Sequence, residues 1–261
     1  MSRTPFSKDI ETDSLMRSEN FNEALSRLKY AVQNNRFAIL TAPPGCGKST
    51  VVRTLRHELD PRKTMFIYVS QSQLTPRWLY NDILSQIGGG TYYFRGEARK
   101  ALHQRFAVIR EIEGRDICVC VDEANLLTLE TIQELRFFLN FDTDSKSILS
   151  LILVGQDELR VRLRAPQFEA IRQRIDIVAQ LGRMTMEQTA RYIRTHIEYA
   201  GDTQGTAFSP EAIETIHNCT KGVPRCVNTL CTLLLNMARS NNIAVIDSST
   251  VALVAANETI F

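Results

Sequence analysis

Five short apolar, largely β-branched runs punctuate the first two-thirds of the chain: FAILT (37–41), MFIYV (65–69), ICVCV (117–121), ILSLILV (148–154) and IDIVA (175–179). Most are continuous rather than alternating, the pattern of strands covered on both faces of a parallel sheet. Between them, apolar positions recur at helical spacing. Phe21, Leu25, Leu28 and Val32 make one stripe, Trp78, Leu79, Ile83 and Ile87 a second, and Ile132, Leu135 and Leu139 a third. Strands alternating with helices predict a doubly wound α/β domain with a five-stranded parallel sheet. After about Leu181 the strand pattern stops, and helices are expected over 185–199, 209–219, 224–239 and 248–257. The implied organisation is an N-terminal linker segment (1–20), an α/β domain (21–182) and a helical domain (183–261).

Composition narrows this picture without redrawing it. With 261 residues, 44% hydrophobic and 23% charged, the chain has length and apolar content for a sizeable core, which excludes wholesale disorder. A net charge of +2 does not announce nucleic-acid binding, so any such surface must be local. No apolar run approaches the roughly 18–20 residues that cross a bilayer. The opening MSRTPFSKDIETD lacks the apolar centre of a signal peptide, so a cytoplasmic protein is expected. The six cysteines (46, 118, 120, 219, 226, 231) form no CxxC pair, and the histidines (57, 103, 196, 217) sit away from metal-ligand spacings. Reduced thiols fit better than disulfides or zinc.

The chemistry begins where FAILT runs into APPGCGKST, residues 42–50. With alanine at the first position, this matches the phosphate-cradling loop G-x-x-x-x-G-K-[ST] between a strand and a helix. Residues Pro44, Gly45, Cys46, Gly47, Lys48, Ser49 and Thr50 form the expected cradle. The glycines let backbone amides curl around phosphate oxygens at a helix N-terminus. Lys48 adds a positive charge for the β- and γ-phosphates, and the Ser49 hydroxyl can ligate Mg2+. ATP and Mg2+ are therefore the expected cofactors.

The strand ICVCV ends in Asp122-Glu123, which places two carboxylates at the sheet edge beside the loop. Asp122 is expected to hold the metal through water, and Glu123 to orient and polarise the attacking water. ILSLILV leads into VGQDEL, where Gln156 suits a polar sensor bridging γ-phosphate and lytic water. An ordinary Gly-Gln turn before a capped helix is the alternative reading of that stretch. Near the other end of the chain, GVPRC (222–226) places Pro224 at a helix start and Arg225 at its front.

Taken together, PPGCGKST, VDEANLL, ELRFFLNFDTDS, LILVGQDELR, the arginine-rich IRQRI and GVPRCVNTLC resemble the AAA+ superfamily, and within it the ExeA/GspA-type ATPases. The wider relatives include transposition regulators of the TnsC, TniB and MuB kind. The resemblance covers nearly the whole chain and implies an α/β core with a helical lid. It assigns Arg174, or Arg172 two residues earlier, as an arginine finger reaching a neighbouring subunit's ATP, which implies a homo-oligomer. It assigns Arg225 as a second sensor coupling the lid to the γ-phosphate.

Secretion-type members carry a membrane span and a peptidoglycan-binding domain after the ATPase. The sequence to Phe261 shows neither, so the short transposition-helper type is expected. The partners so implied are double-stranded DNA, a DDE transposase and a targeting protein. The alternatives are an ATPase serving a secretion or envelope machine and a poorly hydrolysing nucleotide switch.

For a DNA surface, residues 95–111 hold five Arg/Lys against two Glu on an expected helix. Gln73 and Arg77 precede and open the helix after the second strand, and Arg95, Arg99 and Lys100 open the basic one. Contacts there would read backbone phosphate and be salt-sensitive. Tyr92-Tyr93-Phe94 reads equally as a packed loop anchor or a stacking platform.

Overall fold

A computed structural model describes residues 4–7, 10–70, 75–139, 147–202 and 206–257. The strands are β1 (Phe37–Thr41), β2 (Thr64–Val69), β3 (Asp116–Val121), β4 (Leu149–Gly155) and β5 (Ile177–Gln180). They form one parallel sheet in the order β2-β3-β4-β1-β5. In chain order the helices are α1 (Glu19–Gln33), α2 (Lys48–Glu58), α3 (Pro76–Gln86), α4 (Arg95–Ala107), α5 (Leu129–Glu134) and α6 (Arg136–Leu139). There follow α7 (Asp157–Leu163), α8 (Glu169–Arg172), α9 (Met186–Tyr199), α10 (Pro210–Thr220), α11 (Pro224–Ser240) and α12 (Ser248–Asn257). The five-stranded parallel α/β fold and the C-terminal helical region are those the apolar pattern predicts.

Strand burial follows position in the sheet. Every residue of the inner strands β1 and β4 is buried, as is all of inner β3 but its first residue, whereas the edge strands β2 and β5 mix buried and more exposed positions. On one face Phe37, Ile39, Val119 and Leu151 pack with Leu79, Ile83, Leu102 and Phe106 from α3 and α4. The intervening residues Ala38, Leu40, Cys118, Cys120 and Ile152 are equally buried, so the other face is covered as well. Six-cysteine chemistry ends there. All are free thiols, and burial pushes Cys118 up to about 12, which keeps it protonated.

The last strand starts two residues later than its apolar run suggests. Asp176 turns its carboxylate onto the Phe37 N–H (3.0 Å) and pairs with Arg36, so the IDIVA run spends its first residues closing a turn. The basic helix is also shorter than its charge run. It ends at Ala107 and passes into a π-helical turn over Val108–Ile112.

The chain divides into two compact units. One comprises Asn20–Ala42 and Lys48–Leu181, the other Met1–Glu19, Pro43–Gly47 and Gly182–Phe261. In the second unit α9 to α12 bury Ile193, Ile216, Leu230, Leu234 and Val251 against one another. Phe6, within the segment read as a linker, joins this core and stacks on His196 with ring centroids 4.9 Å apart. Thr185 and Gln188 close a capping box that starts α9, and Ser209 caps α10. Between α10 and α11, Gly222 takes φ +69, and a Cβ there would lie 2.1 Å from the Met184 carbonyl oxygen. Only glycine permits that approach, and its carbonyl accepts from Met184 N–H at 2.8 Å.

Candidate active site

Topology explains why distant motifs meet. In a parallel sheet all strand ends of one sense share an edge, and β3, β4 and β1 are consecutive neighbours. Lys48 follows β1 at the start of α2, Asp122 and Glu123 follow β3, and Gln156 follows β4. These four are thereby brought to the carboxyl edge, the usual ligand side of an open α/β sheet. Lys48 is buried, and its Nζ donates to the Ala42 carbonyl at 3.0 Å. Ser49 is exposed and Thr50 half-buried on the first turn of α2. In the loop, Pro44 is exposed, Cys46 is buried, and Gly45 and Gly47 have φ +77 and +91.

Asp122 is buried, with both carboxylate oxygens engaged. Oδ2 accepts from the Tyr68 hydroxyl at 2.6 Å and Oδ1 from the Glu123 backbone N–H at 2.8 Å. Burial raises the Tyr68 phenol pKa well above its ordinary range, with the Asp122 hydrogen bond and charge adding to it. Glu123 is half-buried and left-handed, at φ 49 and ψ 36, a conformation that costs a non-glycine residue about 1–2 kcal/mol. The Oδ1 contact and the following 3-10 turn, in which Leu126 N–H donates to Glu123 O, hold it there.

Asn125 completes this turn in a way the motif does not advertise. Its Oδ1 accepts from Gln156 N–H at 3.1 Å, and its carbonyl accepts from Arg162 at 2.9 Å. The carboxylate turn and the Gln156 turn are thus tied to each other. The only signal in the sequence was an amide residue two positions after Glu123.

The donor set suits a hard cation. The Ser49 hydroxyl and Asp122 carboxylate supply oxygen, and no cluster of three or more His, Cys, Asp or Glu exists among the described residues. Magnesium typically uses one or two such ligands, the remainder being phosphate and water. Each Asp122 oxygen accepts one hydrogen bond and keeps a lone pair for a metal-bound water.

Arg225 opens α11, its backbone N–H donating to the Gly45 carbonyl at 3.2 Å. Arg174 sits elsewhere. It lies in the turn before β5, beside the start of β1, where Asp176 N–H bonds the Phe37 carbonyl. That is the amino edge of the sheet, about 13 Å of strand from the Thr41 end of β1. Arg172 is exposed and donates to the Arg164 carbonyl at 2.8 Å.

The proposed DNA residues form no uniform basic face. Arg77 donates to the Tyr93 carbonyl and stacks over Trp78 and Tyr93, with its guanidinium 4.9 and 5.4 Å from the ring centroids. Arg95 pairs with Glu130 at 2.5 Å, and Arg99 lies over Phe137 and 4.0 Å from the buried Glu134. Farther along, Arg105 pairs with Glu113 and Arg110 with Asp116. Lys100 is exposed. Tyr92 packs on the core whereas Tyr93 and Phe94 are exposed, so the aromatic triplet divides between anchor and surface. Gln73 lies outside the described residues.

A phosphate loop between β1 and α2, paired with an acidic turn after β3 in this strand order, defines a P-loop ATPase core of AAA+ type. Residues 31–163 match the AAA domain family model, and the chain belongs to that family. It is 32% identical over 238 residues to general secretion pathway protein A of Aeromonas hydrophila, covering 88% of this chain and 42% of that one. The chain thus spans less than half the length of this curated relative, to which it is similar. Among solved structures, the Aeropyrum pernix ORC1 protein in complex with DNA aligns with a TM-score of 0.72 at 17% identity, covering 97% of this chain and 68% of that one. The Thermotoga maritima RuvB Holliday junction branch migration motor aligns with a TM-score of 0.62 at 20% identity, covering 94% and 70%. These two likenesses concern the fold. No helix among the described residues is long and apolar enough to cross a membrane.

Proposed function

We propose that this chain hydrolyses ATP and, in its ATP-bound state, assembles on duplex DNA to recruit or activate a transposase. The observation that supports hydrolysis is the shared edge carrying Lys48, Asp122, Glu123 and Gln156. In this reading Glu123 takes a proton from the attacking water, and its fixed left-handed backbone sets the direction of the carboxylate. Gln156 orients that water, and Lys48 neutralises phosphate charge. Ser49 and Asp122 would hold Mg2+, whose chemistry when bound is to spread charge on the β- and γ-phosphate oxygens. Arg174 on the opposite sheet edge favours an arginine acting on a neighbouring copy, hence an oligomer.

The DNA half of the reading rests on the surface of Arg77, Arg99 and Lys100 beside exposed Trp78 and Tyr93. The ORC1 structure with the same fold is itself in complex with DNA. Electron microscopy with duplex DNA and a slowly hydrolysed ATP analogue should show rings or filaments. Their affinity should fall steeply between 50 and 200 mM salt, roughly as each phosphate contact releases its counterion. Intact ATP turnover without DNA binding in any nucleotide state would sink the DNA reading. It would favour the second one, an ATPase serving a secretion or envelope machine, which the identity to general secretion pathway protein A supports.

A further inference from the structure

Strand β2 is at the sheet edge, with β3 on its inner side only. Along a parallel strand, successive residues present both backbone groups to alternate sides. Val69 faces inward, its carbonyl accepting from Asp122 N–H at 2.9 Å. The backbone groups of Tyr68 therefore face outward, where no strand among the described residues pairs them. One side chain takes both groups. Gln86, the last residue of α3, accepts from Tyr68 N–H at 3.1 Å and donates to the Tyr68 carbonyl at 2.9 Å. Its amide mimics one rung of a missing strand, and its Nε2 is shared with Asp82 Oδ2 at 3.2 Å.

This clamp holds the residue whose hydroxyl reaches Asp122 Oδ2. The other Asp122 oxygen holds the left-handed Glu123. A carboxylate held at both oxygens has one plane and one rotamer. Removing the phenolic hydroxyl leaves Oδ2 free to turn and relaxes the contact that pins Glu123. We infer that Tyr68, clamped by Gln86, is the positioning residue that fixes the Asp122–Glu123 pair toward the metal and the water. The inference rests on the ATPase reading above.

The test compares wild type with Tyr68→Phe and Gln86→Ala. Bound Mn2+ is counted from its paramagnetic resonance signal in the presence of ADP, separately from metal-free binding of a fluorescent ADP analogue and from turnover. Outer partners of metal ligands typically change metal affinity or activity about 10–100-fold. Tyr68→Phe should weaken Mn2+ binding and lower kcat by about 10-fold or more, with metal-free analogue affinity unchanged and the protein still folded. Gln86→Ala should shift both in the same direction by a smaller factor. Wild-type Mn2+ affinity and kcat in a folded Tyr68→Phe protein overturn the inference. If that variant does not fold, Gln86→Ala decides, and wild-type values there overturn it equally. A wild type that binds no analogue sinks the ATPase reading and this inference together. One that binds and hydrolyses, beside an indistinguishable Tyr68→Phe, sinks the positioning role alone.

Discussion

Replacing Gly45 with alanine puts a number on the packing at the phosphate loop. Gly45 has φ +77, where an L-residue costs about 1–2 kcal/mol. A Cβ there would also lie 3.0 Å from both Arg225 Cβ and Val223 Cγ1, at the start of α11. Neither neighbour is the far end of a flexible side chain, so the contact behaves as overpacking, about 1–3 kcal/mol. The total expected for Gly45→Ala is about 2–5 kcal/mol. Gly47→Ala separates the two contributions, because Gly47 has φ +91 but a Cβ there would meet nothing within 4 Å. It should cost only the backbone part, about 1–2 kcal/mol. Denaturant unfolding of nucleotide-free protein, followed by circular dichroism, should place Gly45→Ala about 1–3 kcal/mol below Gly47→Ala. Equal losses would refute the reasoning, since backbone strain alone would then account for both.

Other expectations follow from the same geometry. Arg174→Ala should keep analogue binding but lower turnover by roughly 10³-fold or more, and mixing it with Glu123→Gln should restore activity. No recovery in the mixture would exclude an arginine supplied across an interface. Arg225→Ala should leave apo melting unchanged and abolish ATP-dependent assembly, as scattering with and without the analogue would show. Burial between Phe6 and Tyr192 pushes His196 down to about 4 from its ordinary 6.5. The unfolded chain therefore binds the extra proton between those values, so stability is full above about pH 6.5 and falls toward pH 4, by about 3 kcal/mol in all. Melting curves of His196→Phe should lose this part of the acid slope, and an identical slope in both proteins would remove His196 as its source.

Some of this site is written in short stretches of chain. The strand–loop–helix around Gly45 and Lys48 and the acidic strand end at Asp122 are local patterns. Neighbouring residues there must supply adjacent backbone donors or a strand terminus. The inner strands were legible for a similar reason, because burial on both faces demands an unbroken apolar run. Edge strand β5 was legible only to within two residues, since Asp176 closes a turn through a contact with Phe37, 139 positions away in the chain.

The basic run 95–111 shows the same limit from the charge side. Helical periodicity placed its cations on a helix, but Glu130, Glu134 and Asp116 come from other elements. Charge counted along the sequence cannot include carboxylates that folding brings alongside. Phe6 reads as part of a polar terminus until the helical core it enters exists.

The contacts that tie the acidic turn to its neighbours were the least visible. Tyr68 and Asp122 are 54 positions apart, Asn125 and Gln156 31 apart, and Tyr68 and Gln86 18 apart. Sequence alone picked out the groups proposed to hold phosphate and metal, because those roles demand particular residue types at fixed local spacing. Tertiary structure decided how they are aimed, because a hydrogen bond between a tyrosine and a carboxylate carries no local constraint. It exists only when strand order and edge position bring the two together.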